Sequence, residues 1–337
     1  MSENKAAVKN ANIGKDIRKI ASDNAIVIML VILVLYVGFT QDGFFSLSNF
    51  KNITNNVAPR FLIALGVSGC LITRGTDLSA GRMVGLAGVM ASTMLQRPDY
   101  ADKFWPNLPQ LPIIAVLLIV MAVCALFGFI NSLTVSVLHV PAFLATLGMQ
   151  TIVYGINLVY SGATPIGGLR SDYTGIASGE ILGMKYLFWI AVICGILFWF
   201  LYNKTRHGKY MYAIGGNEDA AVVSGVNTTA ELMRIYTLAG VMYAFAGFLL
   251  AAKSGGASVN LGLSYELEAI AACTIGGVSV SGGVGTVPGV LLGVLVFELM
   301  KSCMQFLGID TSYQYIVQGL VIITAVALDI RKYIAKK

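Results

Sequence analysis

Residues 112–138 read PIIAVLLIVMAVCALFGFINSLTVSVL and contain no charged residue in 27 consecutive positions. About 20 such residues, rising about 1.5 Å each in an α-helix, cross the roughly 30 Å hydrocarbon core of a bilayer. The same composition extends through the chain, since 56% of its 337 residues are hydrophobic and 12% are charged. That charged share is about half that of a soluble domain. A soluble core could not hide this much apolar surface, so the excess is expected to face lipid.

Ten apolar segments can be marked, and they predict an all-α, polytopic transmembrane bundle of about 10 helices, within a range of about 8 to 11. The second, third and eighth segments are short, rich in glycine and broken by polar residues. Such helices are typical of transporters, in which irregular backbone lines a cavity. The segments are Ala25–Thr40, Pro59–Ile72, Arg82–Leu95, Pro112–Leu138, Pro141–Tyr160, Lys185–Tyr202, Arg234–Ala252, Glu268–Val280, Val287–Leu307 and Tyr313–Leu328.

The distribution of basic residues predicts that both termini are cytoplasmic. In that orientation 15 of the 23 Lys and Arg residues lie on the inner side, as the positive-inside rule favours. We therefore expect a cytoplasmic segment over residues 1–24, one transmembrane domain over residues 25–330 and a basic cytoplasmic tail over residues 331–337. The polar, basic start argues against a cleavable signal peptide.

Composition and motifs exclude several functions. The net charge of +6 comes from basic residues at the ends of apolar runs, so nucleic acid is not an expected partner. No GxxxxGK[ST] phosphate-binding loop occurs, so the chain is not expected to be an enzyme that hydrolyses nucleotide. No CxxC pair occurs, and the cysteines are expected to be buried apolar residues rather than metal ligands or disulfides. They are Cys70, Cys124, Cys194, Cys273 and Cys303.

The longest predicted cytoplasmic loop, residues 203–233, is a candidate partner-binding segment. After a Gly-Gly-Asn turn signal, residues 218–225 (EDAAVVSG) read as a short helix with acidic residues at its start and glycine at its end. Ala220, Ala221 and Ser224 would give it a smooth face that suits a groove in a partner. A solvated connecting helix is the alternative interpretation.

This loop resembles the coupling loop of ABC importer permeases, whose Glu-Ala-Ala…Gly motif sits in a cleft of the ATPase. Residues 75–81 (GTDLSAG) resemble the Gly-x-Asp-Leu-Ser-x-Gly signature of the ribose/monosaccharide permease family. The resemblance covers nearly the whole chain, including AIGGNEDAAVVSGV and ELEAIAACTIGGVSVSGGVGTVPG. ALGVSGCLITRGTDLSAGR and LGMQTIVYGINLVY are most similar to the galactose/methyl-galactoside branch. Asp219 departs from the strict Glu-Ala-Ala order.

The resemblance implies the permease subunit of an ATP-driven sugar importer in the bacterial inner membrane, without a cofactor of its own. It implies three protein partners: a second permease copy, an ATPase subunit with two nucleotide-binding halves that bind ATP and Mg²⁺, and a periplasmic sugar-binding protein. The implied ATPase-coupling residues are Arg206, Gly208, Glu218, Ala220, Ala221 and Gly225.

The signature residues with an expected capping or gating role are Gly75, Asp77, Ser79 and Gly81. Asp77 or the Ser79 hydroxyl could cap the next helix, where negative charge is favoured. Alternatively, Asp77 could belong to a gate, pairing with a flanking arginine. The signature also matches residues 277–283 (GVSVSGG) at three positions, which is consistent with an internal repeat.

Polar residues at membrane depth are candidates for the pathway. Gln150, Tyr154 and Asn157 share one helix face, and they could line a wet path or join helices through hydrogen bonds. Glu298 lies inside a long apolar helix, where charge is a functional candidate, although a local ion pair with Lys301 is the simpler interpretation. The pathway-lining candidates are Asn131, Gln150, Tyr154 and Asn157.

Three other functions are compatible with parts of the sequence. An ion-coupled secondary sugar transporter would need a proton or ion site at the midplane, for which Glu298 is the available residue. An intramembrane serine protease would use Ser68 within Gly66–Gly69 (GVSG) together with His139, a short match in a glycine-rich chain. A passive channel is the third.

Overall fold

A computed structural model describes residues 25–334, in which thirteen α-helices and one short hairpin form the regular structure. The N-terminal segment predicted over residues 1–24 and residues 335–337 of the predicted tail lie outside the described residues. The helices are α1 (Ala25–Thr40), α2 (Leu47–Ile72), α3 (Ala80–Met94), α4 (Ile113–Ser136), α5 (Ala142–Ser161), α6 (Ser171–Ser178), α7 (Tyr186–Lys204), α8 (Arg206–Gly216), α9 (Glu218–Val223), α10 (Thr228–Ser254), α11 (Tyr265–Ile275), α12 (Val287–Phe306) and α13 (Thr311–Ile334). Strands β1 (Glu180–Ile181) and β2 (Met184–Lys185) form the hairpin.

Helices α2 and α10 form the centre of the bundle, because 83% and 78% of their most apolar windows are buried. The corresponding windows of α4, α5 and α7 are only 22–28% buried, although their mean hydropathy is high. An apolar helix face that no protein covers is expected to face lipid. Six described helices, α2, α4, α5, α7, α10 and α12, are long and apolar enough to cross a membrane. The prediction of a helical transmembrane bundle is confirmed at this level.

Glycines allow α10 to pack closely against α4. A Cβ atom added at Gly240 would lie 2.3 Å from the carbonyl oxygen of Cys124, and one added at Gly128 would lie 2.3 Å from that of Tyr236. Neither substitution fits without moving backbone. Small residues at such crossings are how membrane helices approach one another, since lipid offers no hydrophobic drive for helix association.

The first half of α2 is longer and more polar than the apolar pattern predicts. The helix begins at Leu47 rather than near Pro59, and the Oγ of its N-cap residue Ser46 accepts the backbone N–H of Asn49 at 3.1 Å. Lys51 in this half pairs with Glu180 of β1 at 2.8 Å. Hydrogen bonds from Lys51 and Lys185 hold the pKa of Glu180 below its usual value. A hydropathy pattern misses this stretch because its polar side chains line a cavity of the protein.

Helices α3 and α11 are too short to cross a bilayer alone. They contain 15 and 11 residues, which is about 22 Å and 16 Å of helix. Irregular backbone precedes each one, over residues 73–79 and 255–264. Residues 261–262 lie beside α3, because Cβ atoms added at Gly81 and Gly85 would approach the carbonyl oxygens of Gly262 and Leu261 to 2.4 and 2.6 Å. Short helices joined to irregular backbone inside the protein are typical of transporters.

The α4–α10 contact yields a stability prediction. Gly240→Leu forces a side chain into the backbone of α4 and is expected to destabilise the protein by about 1–3 kcal/mol or more. Gly148→Leu on α5 is the matched control, because no atom lies within 4 Å of the Cβ position there. Unfolding in mixed detergent–SDS micelles measures both variants. Equal stability of the two variants would contradict the close α4–α10 crossing.

Candidate coupling and translocation sites

Helices α8 and α9 lie at one end of the bundle and form the candidate coupling loop. The buried side of α8 packs against the bundle. Asn217 separates them, and its Oδ1 accepts the backbone N–H of Ala220 at 3.0 Å, which caps α9. The short helix expected over residues 218–225 is therefore present as α9. The expected Gly-Gly turn is instead the last turn of α8.

The predicted coupling residues divide into exposed and buried groups. Ala221 is only 4% exposed, so the expected smooth face of Ala220, Ala221 and Ser224 is not a single exposed surface. Gly208 is buried too, and a Cβ atom there would lie 1.9 Å from the Tyr202 carbonyl oxygen. The exposed predicted residues are Arg206, Glu218, Ala220 and Gly225.

Two valines of α9 form an exposed apolar surface that sequence reasoning missed. Val222 is 54% exposed and Val223 is 89% exposed. Their position after an acidic helix start did not distinguish them from core residues. An arginine placed at the buried Ala221 would test packing within the chain, whereas Val223 offers an accessible position for testing a docking surface.

The end of α8 contacts the irregular backbone that follows α2, and we call this contact the junction (Ile72–Arg74, Gly215–Gly216 and Gly282–Gly283). Arg74 Nε donates to the Gly215 carbonyl at 2.9 Å, and Arg74 Nη2 donates to the Gly216 carbonyl at 2.6 Å. The Gly283 N–H donates to the Ile72 carbonyl at 2.8 Å. A Cβ atom at Gly215 would lie 1.7 Å from that same carbonyl oxygen. The junction thus joins α8 to two loops far apart in sequence.

The signature segment, residues 75–81, is buried beside the junction. Asp77 Oδ1 accepts the Ser79 N–H at 3.0 Å and the Ser79 hydroxyl at 2.5 Å, and Asn131 Nδ2 donates to that hydroxyl at 3.0 Å. Ser79 is the N-cap of α3 but makes no side-chain cap hydrogen bond. The carboxylate of Asp77 therefore orders the backbone immediately before the helix.

The two arginines that flank Asp77 have other partners. Arg74 belongs to the junction, whereas Arg82 Nη1 donates to the Val259 carbonyl at 3.2 Å and its guanidinium lies 4.1 Å from the centre of the Tyr154 ring. Among residues 25–334, neither arginine forms an ion pair with Asp77. A gating role of Asp77 stays a prediction.

The polar face of α5 packs against α3 and the start of α11. Gln150 Nε2 lies 3.5 Å from Glu266 Oε1 at the start of α11, and Tyr154 stacks on Arg82 of α3. Asn157 is buried next to Gly85 of α3. We call this region the central polar cluster. Of the three α5 residues, only Gln150 makes a hydrogen bond to another helix, whereas Asn157 Oδ1 has no partner among the described residues. Both interpretations, a wet path and interhelical hydrogen bonding, stay predictions.

Buried charges form a network that spans α2, α11 and α12. Arg60 Nη1 pairs with Glu298 at 2.5 Å, and Lys301 pairs with Glu268 at 2.7 Å. Arg60 Nε also lies 3.5 Å from Glu268. The expected local ion pair between Glu298 and Lys301 is wrong. Glu298 pairs with a residue of α2, and Lys301 pairs with a residue of α11.

Sequence reasoning missed Arg60 and Glu268 because they sit at the edges of apolar segments, where charge is ordinary. Spacing along one helix cannot reveal a partner on another. The one available signal was the pair of acidic residues in ELEAIAAC, Glu266 and Glu268, at the start of an otherwise apolar run.

The remaining predicted features have simple structural outcomes. Ser68 is fully buried and hydrogen-bonded to Leu65 and Tyr202, while His139 is exposed, so they do not form a protease site. All five cysteines are free; four are buried, and Cys194 is half-buried. Within residues 25–334, no three His, Cys, Asp or Glu side chains are grouped to hold a metal ion.

Residues 49–326 match the family model described as "Branched-chain amino acid transport system / permease component". The chain belongs to this permease family. It is accordingly a multi-pass protein of the bacterial cytoplasmic membrane. The family description alone does not decide the transported molecule.

Curated relatives align along almost the entire chain. The galactose/methyl galactoside import permease protein of Escherichia coli K12 is 48% identical over 94% of this chain and 96% of its own length. Its Salmonella typhimurium counterpart is 46% identical over the same shares. The ribose import permease protein of Haemophilus influenzae is 34% identical over 90% of this chain and 91% of its own length. No solved structure matches the chain.

The charge network yields a prediction about stability. Glu298→Gln leaves Arg60 buried with a weaker partner and is expected to cost about 3–5 kcal/mol, because breaking a buried ion pair strands a charge. The double variant Arg60→Gln/Glu298→Gln removes both charges and should recover part of that loss. Unfolding in mixed micelles measures the series, with Glu180→Gln in the exposed hairpin as control. Arg60→Gln completes the cycle, and a double variant as unstable as the sum of Glu298→Gln and Arg60→Gln would contradict the pairing.

Proposed function

We propose that this permease is the membrane subunit of an ATP-driven importer of galactose or methyl galactoside. The observation that carries the proposal is the 48% identity, over 94% of the chain, to the permease of that name. The exposed valines of α9 and their attachment to the membrane domain through the junction support it physically. The ribose permeases are less similar, which places ribose second among candidate sugars.

The proposed topology has ten crossings with both termini in the cytoplasm. The six long helices together with α1, α3, α11 and α13 make ten crossings that alternate in direction, and the irregular segments beside α3 and α11 complete their crossings. Along the chain this alternation puts α8 and α9 on the same side as both ends of the described chain. The basic residues of the coupling loop, Lys204, Arg206 and Lys209, agree with a cytoplasmic location.

In the proposed mechanism an ATPase subunit docks on α9, and its two nucleotide-binding halves bind Mg²⁺ and ATP and hydrolyse the ATP. Closure of its halves moves α8 and α9, and the junction passes that movement to the irregular backbone before α3 and α12. Hinges at such breaks allow helices to rock as rigid bodies. The central polar cluster lies beside one of these breaks, so the same movement changes access to it.

A second permease copy and a periplasmic sugar-binding protein complete the proposed importer. The poorly covered faces of α4 and α5 leave ample apolar surface for lipid or for the second copy. The two matching loops, residues 75–81 and 277–283, both border the junction, which supports an internal repeat whose halves are driven together. We assign sugar selectivity to the binding protein. Because that protein delivers the sugar to the permease, the permease itself does not need to bind sugar tightly.

Ion-coupled sugar transport is a weaker alternative. Its candidate proton or ion site, Glu298, is already engaged in an ion pair with Arg60 of α2, so its carboxylate joins two helices instead of facing an open path. Reconstitution with ATPase and binding protein tests the choice. Galactose uptake should require ATP hydrolysis and persist when the proton gradient is collapsed. Uptake without ATP that stops on collapse of the gradient would contradict the proposal.

The docking surface can be tested with one exposed residue. Val223→Glu places a charge on the surface proposed to enter the ATPase and should lower ATPase co-purification by about tenfold or more, consistent with at least about 1.4 kcal/mol of lost affinity. Membrane insertion and yield should be unchanged because the side chain is 89% exposed. The matched control, Leu182→Glu, changes an apolar side chain that is 84% exposed in the β1–β2 hairpin. Undiminished co-purification of Val223→Glu would exclude α9 as the docking element.

A further inference from the structure

A polar cavity opens at the end of the bundle opposite α8 and α9. Its volume is about 420 Å³, within the range of small-molecule sites. The first half of α2 and the last turns of α10 and α12 line it. Amide and hydroxyl groups dominate the lining, notably Asn49, Asn52, Asn55, Asn56, Ser302 and Gln305.

These residues belong to two polar stripes that descend into the membrane domain. On α2, Asn52, Asn56 and Arg60 are spaced by four residues and therefore share one helix face. On α12, Glu298, Ser302 and Gln305 share a face at spacings of four and three. Both stripes begin at the cavity and end in the charge network, where Arg60 and Glu298 pair. The charge network therefore lies on the same two helix faces as the cavity lining, farther along α2 and α12.

The hydrogen-bonding capacity of the cavity is partly unused. Asn55 Oδ1 is buried and has no hydrogen-bond partner among the described residues. Asn49 Nδ2 donates to the Phe44 carbonyl at 2.7 Å, which fixes its orientation. Lys253 Nζ, which lines the same cavity, donates to Asn56 Oδ1. A buried amide oxygen without a partner is costly unless a ligand or water supplies a donor.

The chemistry of this lining selects a class of ligand. The lining residues include no carboxylate, so a metal cation has no charged ligand there, and the single ammonium already donates to an asparagine. Amide side chains present both donors and acceptors, which matches hydroxyl groups that donate and accept. We propose that the cavity is a weak outer binding subsite for a neutral hexose, occupied after the sugar leaves its binding protein. This deepens the proposed function and rests on it.

Cysteine protection in the full-length permease, embedded in lipid nanodiscs, tests the subsite. Asn55→Cys and Asn52→Cys place thiols in the cavity, and a small, membrane-impermeant methanethiosulfonate reagent labels them. D-Galactose at about 100 mM should slow labelling at both positions at least threefold, while equimolar betaine should not. The matched control is Asn107→Cys, an exposed position outside the cavity, where the sugar should have no effect.

The outcomes separate the subsite from the proposed function. Unchanged labelling rates at both cavity positions, in variants that remain monodisperse, would overturn the subsite even if the assembled importer transports galactose. Protection without ATP-driven galactose uptake would support the subsite and count against the proposed function. Protection by D-ribose but not by D-galactose would support a sugar site and contradict galactose as its ligand.

Discussion

The structure depends on a constraint at the junction, where the Arg74 guanidinium donates hydrogen bonds to the last two backbone carbonyls of α8. The guanidinium is always charged and presents several fixed donors, and here two of them bind successive carbonyls at 2.9 and 2.6 Å. Gly215 permits this approach because any side chain would strike the Ile72 carbonyl. Gly283 binds the same carbonyl. One point therefore connects the candidate coupling loop to the backbone that follows α2 and to the loop that precedes α12.

That connection explains why the broken helices and the polar residues occur together. Breaking α3 and α11 leaves backbone groups and short helix ends at membrane depth, which only a protein interior or a wet cavity tolerates. Asp77, Ser79 and Asn131 are hydrogen-bonded to one another at one break, and Arg82 contacts Val259 and Tyr154 at the other. The buried charges join the central helix α2 to α11 and α12. The buried polar side chains described above thus lie beside the helix breaks or between these three helices.

The sequence predicted the bundle, α9 and the permease family, because long apolar runs and turn signals are local properties. It located the start of α2 twelve residues late, since asparagines that line a cavity resemble a surface loop. It paired Glu298 with Lys301 because only spacing on one helix was visible, whereas Arg60 lies 238 positions away. It assigned Ala221 to a docking face, but packing turned that side chain inward and left Val223 outward. Contacts between distant segments are fixed by tertiary packing, which periodicity does not encode.

The most direct test of this account is the amount of sugar transported per ATP hydrolysed when Arg74 is replaced. Proteoliposomes containing Arg74→Ala permease, ATPase and binding protein would be compared with the native assembly. If the junction transmits movement, the ATPase should still bind and hydrolyse ATP, while the transport ratio falls about tenfold or more. A native ratio in Arg74→Ala, with full assembly, would show that coupling does not pass through the junction and would contradict the account.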